Sequence, residues 1–174
     1  MSRLMLSSDL HLGHKNIYKF RPEFSSSEEH HEVLFDNLAS NVNKRDSLIL
    51  LGDIAFDKVW LERIKGIKCA KKLLVCGNHD LDFGLKMVDL VTVYDEIKAL
   101  YTKRNYWFSH CPIHPQEMRG RCGNIHGHLH HKKVQQEYRG DGDYVGDVDD
   151  RSYINVCVEH TNWKPISFKE ATGG

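Results

Sequence analysis

The sequence has little that would mark it for a membrane, an oxidising compartment or a nucleic-acid coat. No apolar run approaches the roughly 20 residues that span a bilayer. Its five cysteines (Cys69, Cys76, Cys111, Cys122 and Cys157) are odd in number, scattered and without a CxxC pair. That argues against a disulfide framework and for reduced thiols. With no signal peptide ahead of the first apolar segment, a cytoplasmic location is expected. Lys plus Arg number 24 and Asp plus Glu number 24, so the basic excess of a non-specific nucleic-acid binder is missing. A local basic rim around a cleft remains compatible with that balance. No repeat or linker divides the 174 residues, and the length suits one domain with a sizeable core, so a single domain over 1–174 is expected.

Histidine, by contrast, is plentiful, with twelve in the chain. It is the commonest metal ligand and titrates near neutral pH. The first half alternates short apolar runs with helical patterns. Arg3-Leu4-Met5-Leu6, Ser47-Leu48-Ile49-Leu50-Leu51 and Lys72-Leu73-Leu74-Val75-Cys76 read as buried strands. Ser25-Ser26-Ser27-Glu28-Glu29 reads as a helix start leading into Leu34, Leu38 and Val42, and Asp57 as the cap of a second helix carrying Trp60, Leu61 and Ile64. A third helix is expected over residues 82–90. The second half is strand-rich, with strands expected at 91–94, 97–101, 106–109, 124–126 and 153–158. The Gly- and Asp-rich stretch 139–151 reads as a hairpin or loop. It lacks the closing glutamate and the glycine position of a calcium loop.

Several strands end in metal-binding residue types: Asp9-Leu10-His11, Gly52-Asp53, Gly77-Asn78-His79-Asp80, His110, and Gly127-His128-Leu129-His130. In open α/β sheets the carboxyl ends of neighbouring strands share one crevice, so these groups have a common place to meet. Each alone is ordinary turn chemistry. The ordered set is not.

That set resembles the calcineurin-like metallophosphoesterases, whose five motifs appear here in their usual order from Asp9 to His130. The closing segments Tyr153-Ile154-Asn155-Val156 and Pro165-Ile166-Ser167-Phe168 are similar to the family's last strands, and the length resembles its small bacterial and phage members. The resemblance implies a four-layer αββα sandwich, with two mixed sheets face to face and helices outside. It implies two divalent metals: one held by Asp9, His11 and His130, a second by Asn78, His110 and His128, with Asp53 bridging. Manganese is the expected ion on that resemblance. Carboxylate, imidazole and amide donors are equally compatible with iron, nickel or zinc. The implied activity is hydrolysis of phosphodiesters, nucleotides or cyclic nucleotides included, and of phosphomonoesters, by a hydroxide shared between the metals. His79 is expected to protonate the leaving oxygen, with Asp80 orienting it.

His14, Lys15, Asn16 and Arg21 follow the first motif closely and are candidates for contacting a phosphate or nucleotide. His126 is expected at most to support the site from behind, His114 to line the cleft or the surface, and His30, His31, His131 and His160 to lie on the surface. The expected partner is a small phosphate ester or nucleotide, with no membrane and with nucleic acid not favoured; the oligomeric state is open. The alternative is a catalytically silent scaffold of the same fold. It is disfavoured because every motif donor is present.

Overall fold

The computed structural model describes residues 2–174. In chain order its regular elements are β1 (Leu4–Ser7), α1 (Ser27–Asn41), β2 (Ser47–Leu50), α2 (Lys58–Gly66), β3 (Lys71–Val75), α3 (Met87–Leu90), β4 (Glu96–Lys98), β5 (Tyr101–Lys103), β6 (Tyr106–Phe108), β7 (Gly123–His126), β8 (Gln135–Gly140), β9 (Asp143–Asp149), β10 (Tyr153–Asn155), β11 (Ile166–Ser167) and α4 (Phe168–Thr172). The helix starts are made as their residues suggest. Ser26 accepts from the Glu29 N–H, the Glu29 carboxylate accepts from the Ser25 N–H, and Asp57 accepts from the Trp60 N–H.

Two mixed sheets form. The first runs β11-β1-β2-β3-β4, parallel except for β11. The second runs β10-β7-β6-β5, parallel except for β5. Period-two alternation sorts their side chains between two cores. Leu4, Leu6, Ile49, Leu51, Leu73 and Val75 face Phe108, Ile125 and Val156 across the sandwich. Met5, Leu48, Leu50 and Leu74 face the other way, onto Leu34 and Leu38 of α1 and Leu61 and Ile64 of α2. The expected fold class, an α/β sandwich of two mixed sheets, is therefore the observed one. The segment after β6 is pinned to the second sheet by Ile113 N–H to Asn124 Oδ1 (3.0 Å) and Tyr153 O–H to the Ile113 carbonyl (2.6 Å).

Five local expectations need correction. The strand expected over 97–101 is broken at Ala99 and Leu100 into β4 and β5, and the one expected over 153–158 stops at Asn155, with Val158–His160 in a 3-10 turn. Residues 82–90 are helical only from Met87, because Phe83 and Gly84 take left-handed φ of 55° and 92° and interrupt the turn. Residues 91–94 form no strand. They close the turn after α3 and bury Val93 and Tyr94 against the helical side of the core. His30 and His31 are buried rather than on the surface, whereas His131 and His160 are exposed. The Gly- and Asp-rich stretch is the β8–β9 hairpin, paired only with itself and exposed at nearly every position. All five thiols are free. Among the described residues, no helix is long and apolar enough to cross a membrane.

Candidate metal centre

The turns that follow β1, β2, β3, β6 and β7 meet at one end of the sandwich. The backbone there is held in conformations that residues other than glycine seldom adopt. Asp9 (φ 58°), His11 (49°), Asp53 (56°), His128 (69°) and His130 (49°) are all left-handed. Such outliers persist where surrounding structure over-determines them, commonly at functional sites. The β1 and β2 turns are braced against each other by Asp9 N–H to Gly52 O and His11 N–H to Asp53 O, at 3.0 and 2.9 Å. Two motif glycines are there for space. A Cβ on Gly127 would overlap Ser8 Oγ and Asp9, and one on Gly77 would overlap the Asp53 carboxylate.

Asp9, His11 and His130 cluster, as do Asp9, Asp53 and His110, and His110 and His128 cluster with Cys111. Asp9 Oδ2 is fixed by Ser8 Oγ (2.6 Å) and the His128 N–H (2.9 Å), while Asp9 Oδ1 is buried without a partner. It faces His11 Nε2, likewise buried and unpartnered, across 3.6 Å. Asp53 Oδ1 accepts from the His79 N–H, and its Oδ2 stands 3.4 Å from His110 Nε2 and 4.0 Å from His11 Nε2, between the two groups. His110 Nδ1 donates to the Leu51 carbonyl (2.8 Å), which fixes the tautomer and leaves Nε2 facing Asn78 Oδ1 (2.9 Å) and His128 Nδ1 (3.1 Å).

Carboxylate, amide and imidazole donor atoms thus converge on one another, an arrangement that a cation would stabilise. With a proton as that cation, burial opposes the charge on His110, yet Asp53 and Asp9 raise its pKa to about 9. Burial would also raise Asp9 and Asp53, but the neighbouring imidazoles hold both below the ordinary carboxylate range. Burial lowers His11 and His128. The donor set fits divalent transition metals.

His130 is aimed by a residue with no motif signature. Glu159 Oε1 accepts from His130 Nδ1–H at 2.9 Å, leaving Nε2 with its lone pair. That hydrogen bond raises His130, and burial opposes it. Glu159 is buried, which works against its charge, but His130 and Arg21 bring it down to about 2.

The remaining candidates divide. His79 lies at the cleft, its ring 6.2 Å from that of His11. Asp80 does not touch it. The Asp80 carboxylate is buried and accepts from the N–H groups of Asp53, Ile54 and Gly77 at 3.1, 3.0 and 2.7 Å, holding the two motif turns together. Burial, with Asp53 adding, raises its pKa. The carboxylate that meets His79 is Asp82, 2.8 Å from Nδ1. Helical or turn spacing of three makes that contact available, whereas an adjacent residue points away.

His14 sits between His11 and Phe20, and Lys15 and Asn16 are exposed beside it. Arg21 is not free for a substrate. It is 1% exposed, and its guanidinium donates to the Asp9 carbonyl (2.7 Å), Glu159 (2.7 Å) and His30 Nε2 (2.7 Å). His30 in turn meets His31, which accepts from the Gly13 N–H. His126 is buried on the face of β7 opposite to that of Ile125, its Nδ1 donating to the Gly127 carbonyl. His114 is exposed and accepts from Gln116 N–H.

No family model matches the sequence. The uncharacterized protein MJ1445 of Methanocaldococcus jannaschii is 32% identical over 176 residues, 96% of this chain and 88% of that protein. The chain therefore belongs to the same family as MJ1445. Gene 66 protein of Mycobacterium phage L5 is 34% identical over 88 residues, covering 46% of this chain and 41% of its own. Among solved structures, the protein of unknown function AQ665 from Aquifex aeolicus superposes with a TM-score of 0.70 at 25% identity, over 98% of this chain and 97% of the other.

Proposed function

We propose that this chain is a metal-dependent phosphoesterase acting on phosphodiesters and phosphomonoesters, with residues 1–174 forming one calcineurin-like domain. The observation that carries the reading is the buried, partnerless pair Asp9 Oδ1 and His11 Nε2, facing each other beside the Asp53 and His110 donors. Asp9, His11 and His130 would hold one divalent cation, and Asn78, His110 and His128 another, with Asp53 shared. Bound there, such a pair supplies an activated water and neutralises the phosphoryl charge. Manganese is the ion we favour, with iron, nickel and zinc suited to the same donors.

The chain supplies the rest. Glu159 and the Leu51 carbonyl accept hydrogen bonds from the Nδ1–H groups of His130 and His110, so both rings offer Nε2 to the site. His79, partly exposed and held through Nδ1 by Asp82, carries the proton for the departing ester oxygen. His14, Lys15 and Asn16 lie where a substrate's organic portion or a second phosphate would rest.

The test is hydrolysis of bis-p-nitrophenyl phosphate and of a panel of mono- and diesters with added manganese. Turnover that chelation abolishes and Asp53→Asn eliminates, in a protein that still folds, supports the reading. Stoichiometric metal with no turnover of any ester would instead favour a scaffold.

A further inference from the structure

Phe20 and Phe83 are left in water beside this centre, 69% and 66% exposed. Lone exposed apolar residues are ordinary, but the placement of these two is specific. Phe83 takes a left-handed φ of 55°, a conformation that a bulky side chain enters only under constraint. Its ring stacks on Phe56 with centroids 4.8 Å apart and planes 21° apart. Phe56 meets His11 at 5.0 Å and His14 at 5.7 Å, so an unbroken aromatic wall runs from a candidate metal ligand out to Phe83. Phe20 approaches the same His14 edge-on, at 6.1 Å. His14 therefore stands between two recesses. One, of about 460 Å³, is lined by Phe20, His11, His79 and His130. The other, of about 500 Å³, is lined by Phe56, Phe83, Lys15 and Asn16.

We propose that the two recesses are aromatic subsites, Phe83 and Phe20 each receiving one planar base of a phosphodiester that joins two nucleoside-like alcohols. This deepens the phosphoesterase reading and rests on it. A monoester has one organic arm and would use one recess; a diester has two. Every base presents a π-face, so stacking on phenyl rings accepts bases without reading their identity. The balanced charge of the chain, without the basic excess that a long polyanion rewards, suits a short diester. Hydrolysis adds water across one P–O bond. The phosphate keeps the new oxygen, and the leaving nucleoside oxygen takes a proton.

The test uses a deoxydinucleoside monophosphate, its two singly abasic analogues and the doubly abasic diester. These share one leaving-group chemistry and differ only in their bases. With the manganese-loaded protein, removal of each base lowers kcat/KM by roughly 5- to 150-fold, the range for loss of one stacked base. Phe83→Ala and Phe20→Ala each impose a loss of that order on the full dinucleotide, Phe83→Trp restores it, and Val59→Ala, an exposed apolar change on α2, does nothing. Titration calorimetry on the same series reports binding whether or not turnover occurs. If neither base removal nor either alanine variant alters affinity or kcat/KM, the subsites are refuted. Base-dependent binding with no hydrolysis of any ester would overturn the phosphoesterase reading and leave the subsites standing.

Discussion

Glu159 Oε1 lies 2.9 Å from His130 Nδ1, and the same oxygen lies 2.7 Å from a guanidinium nitrogen of Arg21. One buried carboxylate thus fixes the tautomer of a candidate ligand and anchors the arginine that holds the Asp9 carbonyl. Partners of this kind contribute about 10- to 100-fold to metal affinity. Glu159→Gln should weaken manganese binding by that order in calorimetric titration, with the circular dichroism spectrum kept. Unchanged affinity would mean that His130 needs no such support.

Arg21 should matter for stability rather than for substrate affinity. Removing one member of a buried ion pair leaves the other uncompensated, at a cost of about 3–5 kcal/mol. Arg21→Ala should lower the urea unfolding free energy by that amount. A variant of unchanged stability whose KM for phosphate esters has risen would return Arg21 to the substrate.

His79→Ala should slow esters with alkoxide leaving groups much more than p-nitrophenyl esters, by the roughly 10²–10⁴-fold typical of general acid catalysis against little change. Asp82→Asn should give a smaller effect of the same selectivity, and Asp80→Asn should act through stability instead. Equal slowing of good and poor leaving groups by His79→Ala would remove the acid role.

Metal uptake should depend on pH through His110. In chelator-treated protein the Asp53 and Asp9 carboxylates hold its proton up to about pH 9, against the effect of burial. A divalent cation must displace that proton, so manganese affinity should rise with pH, by up to about tenfold per unit below 9, and level off above it. Titrations at pH 6, 7 and 8, in two buffers of different ionisation heat, measure both the slope and the proton released. A pH-independent affinity would contradict the assignment.

Much of this site could be read from local sequence because its donors sit where apolar runs stop. Leu48 to Leu51 ending in Gly52-Asp53, and Leu73 to Val75 followed by Gly77-Asn78-His79, announce both the strand and its polar end. Strand–helix alternation made the α/β character legible, while the two-sheet sandwich was what the family resemblance implied. What stayed hidden depends on contacts far along the chain. Arg21 and Glu159 are 138 residues apart, and nothing around either signals the other. His30 and His31 look like a polar helix face until Arg21 and Gly13 arrive as partners. Val91 to Tyr94 carry high β-propensity, which tertiary burial of Val93 and Tyr94 overrides. Asp80 looked like the partner of His79 because it is its neighbour. The backbone turn instead spends that carboxylate on three N–H groups and offers Asp82.

The central claim is that seven side chains from five turns share a pair of divalent cations, and the anomalous difference map of a crystal grown with manganese tests it most directly. The account predicts two peaks, one among Asp9, His11 and His130 and one among Asn78, His110 and His128, with Asp53 contacting both. A single peak, or none among these residues, would contradict it.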